Sequence, residues 1–192
     1  AYQGAMCSLP NARTCVLAAL VALLIPAHAA ADPAGPATAA ARKSLAVLDG
    51  IARTLRSTRY VHSARVDERK GIYDWDCSLL VAWVLQRAAP TAQRSLWSGR
   101  PVARDYYQAI VRAPLTGDRR GWTRLTGPAD VRLGDLFAWL KPPMFARRNN
   151  TGHVGFVVGQ PTRHPRHADV WIMRVTDASS FSHDADTRPA GG

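Results

Sequence analysis

The chain has 192 residues, with 25 Lys and Arg against 14 Asp and Glu, a formal net charge of +11. That length makes one domain of ordinary size, able to bury a core without staples. The basic residues are scattered, with Arg119-Arg120 and Arg147-Arg148 the densest pairs. No nucleic-acid module is read from them, and the charge favours attraction to anionic envelope polymers.

In chain order, Arg13 is the one charge before Asp32, Val16 to Ile25 is a short apolar run, and Ala27-His28-Ala29 has the small-x-small pattern of a cleavage site. Residues 1–31 therefore read as a secretory signal beginning naturally at Met6; a membrane-spanning helix needs roughly 20 apolar residues. Removing Arg13 with the signal leaves a mature charge of +10. The mature protein is expected to be secreted or periplasmic, with no stable membrane insertion after cleavage. Cys7 and Cys15 leave with the signal, so Cys77 is the one cysteine that stays.

Residues 32–41 are rich in Ala and Pro and read as a tether, followed by a domain over 42–192. Leu45, Leu48, Ile51, Ala52 and Leu55 recur at helical spacing and predict a helix over 41–56. Tyr60 to Asp67 is polar and reads as irregular or extended. A polar turn through Tyr73-Asp74-Trp75-Asp76 then runs into a helix over 77–87, with Asp76 as N-cap and Ala88-Ala89-Pro90 as its stop. Asp105 to Arg112 reads as a short helix and Gly117 to Gly127 as a loop. Leu133 to Leu140 and His153 to Val158 read as strands, the second with Val154, Phe156 and Val158 on one face. A basic loop, Pro142 to Thr151, joins them, and Val170 to Val175 is a third strand. Helices first and strands later predict an α+β fold, with N-terminal helices packed on a small antiparallel sheet.

A lone cysteine in an exported protein is a spare thiol, an intermolecular bridge or a catalyst. Cys77 opens a helix and so faces the positive end of its dipole, the setting of reactive cysteines. Asp76 and Ser78 flank it with polarity that an inert core thiol would avoid. A thiol catalyst needs a histidine to carry the proton and a polar group to orient that histidine. His153 opens a strand between Gly152 and Gly155, and Asp177 ends the next strand. Two adjacent antiparallel strands would set them side by side. The spacing of His164, His167 and His183 suits no standard ligand set, so neither a metal nor a cofactor is expected.

Tyr60, Asp74-Trp75-Asp76-Cys77-Ser78, Leu133-Gly134-Asp135-Leu136-Phe137, Gly152-His153-Val154-Gly155 and Asp177-Ala178-Ser179 stand in this order over about residues 60–180. In these elements the chain resembles the NlpC-type family of bacterial cell-wall cysteine peptidases. The resemblance implies a compact papain-like fold and cleavage of peptide bonds in the peptidoglycan stem. It also implies Cys77 as nucleophile, His153 as base, Asp177 as the group that orients it, and Tyr60 near the oxyanion site. The third polar position is often histidine in that family. The sequence departs from the family at Leu79, where glycine usually follows Cys-Ser, and at His62-Ser63, where a glycine pair usually stands. At least one strand more is expected than the sequence to Gly192 supplies. Two other readings stay open: an acyltransferase or amidase on the same fold, and a non-catalytic wall-binding module.

Overall fold

The computed structural model describes residues 35–96, 98–146 and 150–181. The segment read as a signal, Trp97, Arg147-Arg148 and His183 to Asp186 lie outside the described residues. The elements in order are α1 (Ala39–Thr54), β1 (Ser57–Tyr60), β2 (Arg65–Asp67), β3 (Ile72–Trp75), α2 (Cys77–Ala88), α3 (Pro90–Arg94), α4 (Ala103–Arg112), β4 (Leu136–Leu140), β5 (Gly152–Val157), β6 (Thr162–His164), β7 (His167–Ile172) and β8 (Val175–Thr176). The fold is α+β. Among the described residues no helix is long and apolar enough to cross a membrane.

The tether ends earlier than its composition suggests. Thr38 caps α1, its hydroxyl accepting the Ala41 N–H at 3.0 Å, and the Ala39-Ala40-Ala41 run is strong helix former. Helix α2 is buried almost all round, through Leu80, Val81, Val84 and Leu85, and is the element on which the core assembles. Helix α1 packs on α2, α2 packs on β5, and α4 packs on β4 and β5. Full burial of a side chain such as Phe156 contributes roughly 1.5–3 kcal/mol.

Strands β4, β5 and β8 form an antiparallel sheet in the order β4-β5-β8. Leu136 faces Phe156 and Ala138 faces Val154, and these four join the core. Val154 and Phe156 are buried as the alternation predicts. Val157 is buried too, because the end of β5 is covered on both faces.

The simple order of helices before strands does not hold. β1, β2 and β3 precede α2 and form their own sheet, with β1 parallel and β2 antiparallel to the central β3. The segment read as a polar turn is therefore mostly strand β3. Its Asp74 misleads because charge marks a turn only when solvated. Here Asp74 is 2 % exposed and lies opposite Arg59 on one side and Arg65 on the other. Its carboxylate accepts from the Arg59 guanidinium at 3.0 Å, which holds it below the usual carboxylate range. Pro90 ends α2 and then opens α3, since proline fits a first helical position. The single strand expected over 170–175 is two. β7 pairs with β6, whereas β8 crosses to β5 after Met173-Arg174.

Candidate active site

The first turn of α2 is built around Asp76. One carboxylate oxygen, Oδ1, accepts the Leu79 N–H at 2.9 Å and caps the helix. The other, Oδ2, accepts from His62 Nδ1 at 3.0 Å and from Arg100 at 3.1 Å. The buried Tyr106 hydroxyl donates to the Ser78 carbonyl at 3.3 Å. The helix start is thereby tied to the β1–β2 connection, to the segment before α4, and to α4 itself.

This network overturns one sequence argument. Asp76, Cys77 and Ser78 are all buried, with Cys77 5 % exposed. Flanking polarity does not keep the thiol in the open, because the Asp76 carboxylate finds its partners inside the protein.

His153 stands on β5 directly opposite Trp139 of β4. Their ring centroids are 5.9 Å apart, and the Phe137 ring lies 6.2 Å from the imidazole. Phe137, Trp139, His153 and Gly155 alternate onto one face of the sheet, opposite in direction to the core-facing residues. Thr176 pairs with Phe156, so the next residue of the chain, Asp177, comes level with Gly155. A Cβ on Gly155 would lie 2.8 Å from the Asp177 Cβ. Glycine at 155 is what lets Asp177 close on the sheet and reach the neighbouring ring. His153 Nε2 donates to Asp177 Oδ2 at 2.8 Å, with the two side chains 13 % and 7 % exposed.

Cys77 is the other neighbour that raises the imidazole's pKa. Burial pushes His153 down, but the bond to Asp177 and the influence of Cys77 and Asp177 outweigh it and hold the ring up at about 9. The imidazole is therefore protonated at neutral pH. Tyr60, at the end of β1, also stands near Cys77. Burial first, then the charges of Cys77 and Asp76, push its phenol up to about 12, so it keeps its proton as a donor.

The four residues singled out from sequence, Cys77, His153, Asp177 and Tyr60, are thus brought into one cluster. Sequence reasoning missed Trp139 and Phe137, although their two-residue spacing on a strand opposite His153 is a readable signal. It also missed Arg100, whose link to Asp76 crosses a loop and leaves no pattern in the chain. Among the described residues there is no group of three or more His, Cys, Asp or Glu that could hold a metal. No family model, curated protein or solved structure matches this chain.

Proposed function

We propose that the protein is an exported cysteine peptidase of papain-like fold that hydrolyses peptide bonds in peptidoglycan stem peptides. One arrangement carries this reading. A protonated imidazole, held by a carboxylate through Nε2, stands near a thiol at the start of a helix and is charged in part by it. A buried structural cysteine needs neither partner.

Cys77 supplies the thiolate, which attacks the substrate carbonyl. The N–H groups that open α2 lack partners within the helix and point toward the developing oxyanion. Tyr60, protonated and beside the sulfur, adds an O–H donor, and one such donor is worth about 3–4 kcal/mol in a comparable site. His153 protonates the leaving amine, giving an acyl-enzyme and a free amino terminus. The now neutral His153 then takes a proton from water, whose oxygen cleaves the thioester. Asp177 holds the ring in register through both steps. Tyr60 and Trp139 are exposed, and the substrate chain is expected to approach Cys77 between them.

The test is digestion of purified peptidoglycan by the mature protein, with products read by mass spectrometry. The proposal predicts new stem-peptide amino termini that vanish with Cys77→Ala. Equal digestion by that variant refutes it.

A further inference from the structure

A concavity elsewhere on the protein is lined by none of the residues of this cluster. It is a groove of about 520 Å³ between α4, the end of α3 and the turn at 119–122. Four arginines line it, Arg104, Arg112, Arg119 and Arg120, against one acidic residue, Asp105. Arg104 and Arg112 are eight residues apart on α4, so they lie on one face about 12 Å apart along the axis. The Asp105 carboxylate is turned to its own helix start, accepting the Val102 N–H at 2.9 Å. Among the described residues, Arg104, Arg112 and Arg119 form no ion pair with a carboxylate.

The opposite wall is held firmly. Arg119 and Trp122 exchange backbone hydrogen bonds at 2.9 and 3.1 Å, closing a two-residue turn. Both central residues, Arg120 and Gly121, have positive φ, 56° and 84°. Such a turn takes Asn-Gly most readily, and arginine is a less favourable first residue. Asp118 accepts the Gly121 N–H at 3.0 Å, and the Trp122 indole below donates to Ser95 Oγ at 2.9 Å. The turn is thus over-determined by its surroundings, and its left-handed central residue is a guanidinium at a groove already rich in them. Arg104, Arg112 and Arg119, without a carboxylate pair among the described residues, repel each other unless an anion lies between them.

We propose that this groove binds a chain bearing several oxyanions, phosphate or carboxylate, through Arg104, Arg112, Arg119 and Arg120. Guanidinium forks match both groups in two-bond geometry. The volume falls within the range of about 300–1,000 Å³ typical of ligand sites, larger than a single ion needs. The overall charge of the protein attracts polyanions everywhere; the groove gives them one place to dock.

The test uses the full chain carrying Cys77→Ala, so that failure of the peptidase reading leaves it untouched. Binding of inorganic tripolyphosphate and of poly-L-glutamate is measured by titration calorimetry at low and high salt. Arg112→Gln with Arg119→Gln is compared with Arg42→Gln with Arg53→Gln, an equal loss of charge from exposed positions on α1. The groove variant is expected to lose affinity about tenfold or more, and the control much less. Binding of the phosphate probe alone assigns the oxyanion as phosphate, and of the glutamate probe alone as carboxylate. Binding of neither probe, or equal losses in both variants, overturns the proposal. Melting temperatures check that the variants fold, and the single variants Arg112→Gln and Arg119→Gln carry the test if the double one does not.

Discussion

Replacing Gly155 by alanine isolates the orienting role of Asp177 without touching any chemical group of the cluster. The new methyl would lie 2.8 Å from the Asp177 Cβ and 2.9 Å from the Phe137 ring. Carbon atoms rest at about 3.5–4.0 Å, so one side must give by about 1 Å. The Phe137 ring is hemmed by its own strand, whereas Asp177 lies just past the end of β8, so the carboxylate moves. Its 2.8 Å bond to His153 then passes the limit of a useful hydrogen bond. With that partner withdrawn, burial acts on the imidazole with less opposition, and its pKa falls from about 9 toward the ordinary value. Displacements of this size cost on the order of 10²-fold in rate. Two measurements check this: NMR titration of the His153 ring, and peptide hydrolysis as a function of pH. The alkaline limb of the profile should move to lower pH, because the imidazolium is lost sooner. Gly159→Ala is the control, since its methyl meets the Arg174 Cβ at the same 2.8 Å, and Arg174 plays no part in the cluster. If Gly155→Ala leaves the His153 titration and the rate unchanged, Asp177 does not orient the ring and the reasoning fails.

Three further outcomes are expected. The native state holds the His153 proton up to about 9, whereas an unfolded histidine releases it near 6.5. The stability this contributes is complete below about 6.5 and is lost as the pH rises through about 9. The change amounts to at most about 3 kcal/mol. His153→Gln should flatten that decline in urea unfolding measured across the window. Tyr60→Phe keeps the ring and removes the O–H, and should lower kcat by about 10²-fold with KM little changed. An unaltered kcat would make Tyr60 a packing residue only. Asp76→Ala removes the cap and leaves His62 and Arg100 without their carboxylate, and should lower Tm by roughly 2–8 °C, read by calorimetry. Asp76→Asn, which can still cap, should fall between the two.

Helices α1, α2 and α4 were legible because their signals are local, whereas α3 was hidden behind the stop read at Ala88-Ala89-Pro90. Leu80, Val81, Val84 and Leu85 recur at helical steps, and Asp76 and Pro90 mark the two ends of α2. The juxtaposition of His153 and Asp177 was legible only in part, since Val175–Thr176 alone pairs with β5 while the stretch before it turns back onto β6. β3 was not legible. Its Asp74 is neutralised by arginines on two other strands, and nothing within Tyr73-Asp74-Trp75 announces those partners. The depth of Cys77 escaped for the same reason. Whether a flanking carboxylate is solvated or buried depends on His62 and Arg100, which are 14 and 24 residues away.

Asp76 joins stability to the chemistry of the cluster. A helix cap is ordinarily a local device, serving one or two backbone N–H groups. Here the same carboxylate also fixes two segments remote in sequence. His62 is one of them, and its ring meets the Tyr60 ring edge-on at 5.6 Å. Tyr60 in turn stands near enough to Cys77 to feel its charge. The position of the phenol near the thiol is therefore set through the cap, by way of His62, and not by β1 alone. Loss of the cap should then disturb Tyr60 as well as the helix start, so Asp76→Ala should impair turnover even at temperatures where the protein stays folded. Asp74, two residues earlier and equally buried, acts less directly, through Arg59 beside Tyr60 on β1 and Arg65 on β2. Neutralising Asp74 should weaken that sheet and lower the rate per folded molecule less than Asp76→Ala does. Two buried aspartates on one short segment thus differ in how directly each aims the cluster.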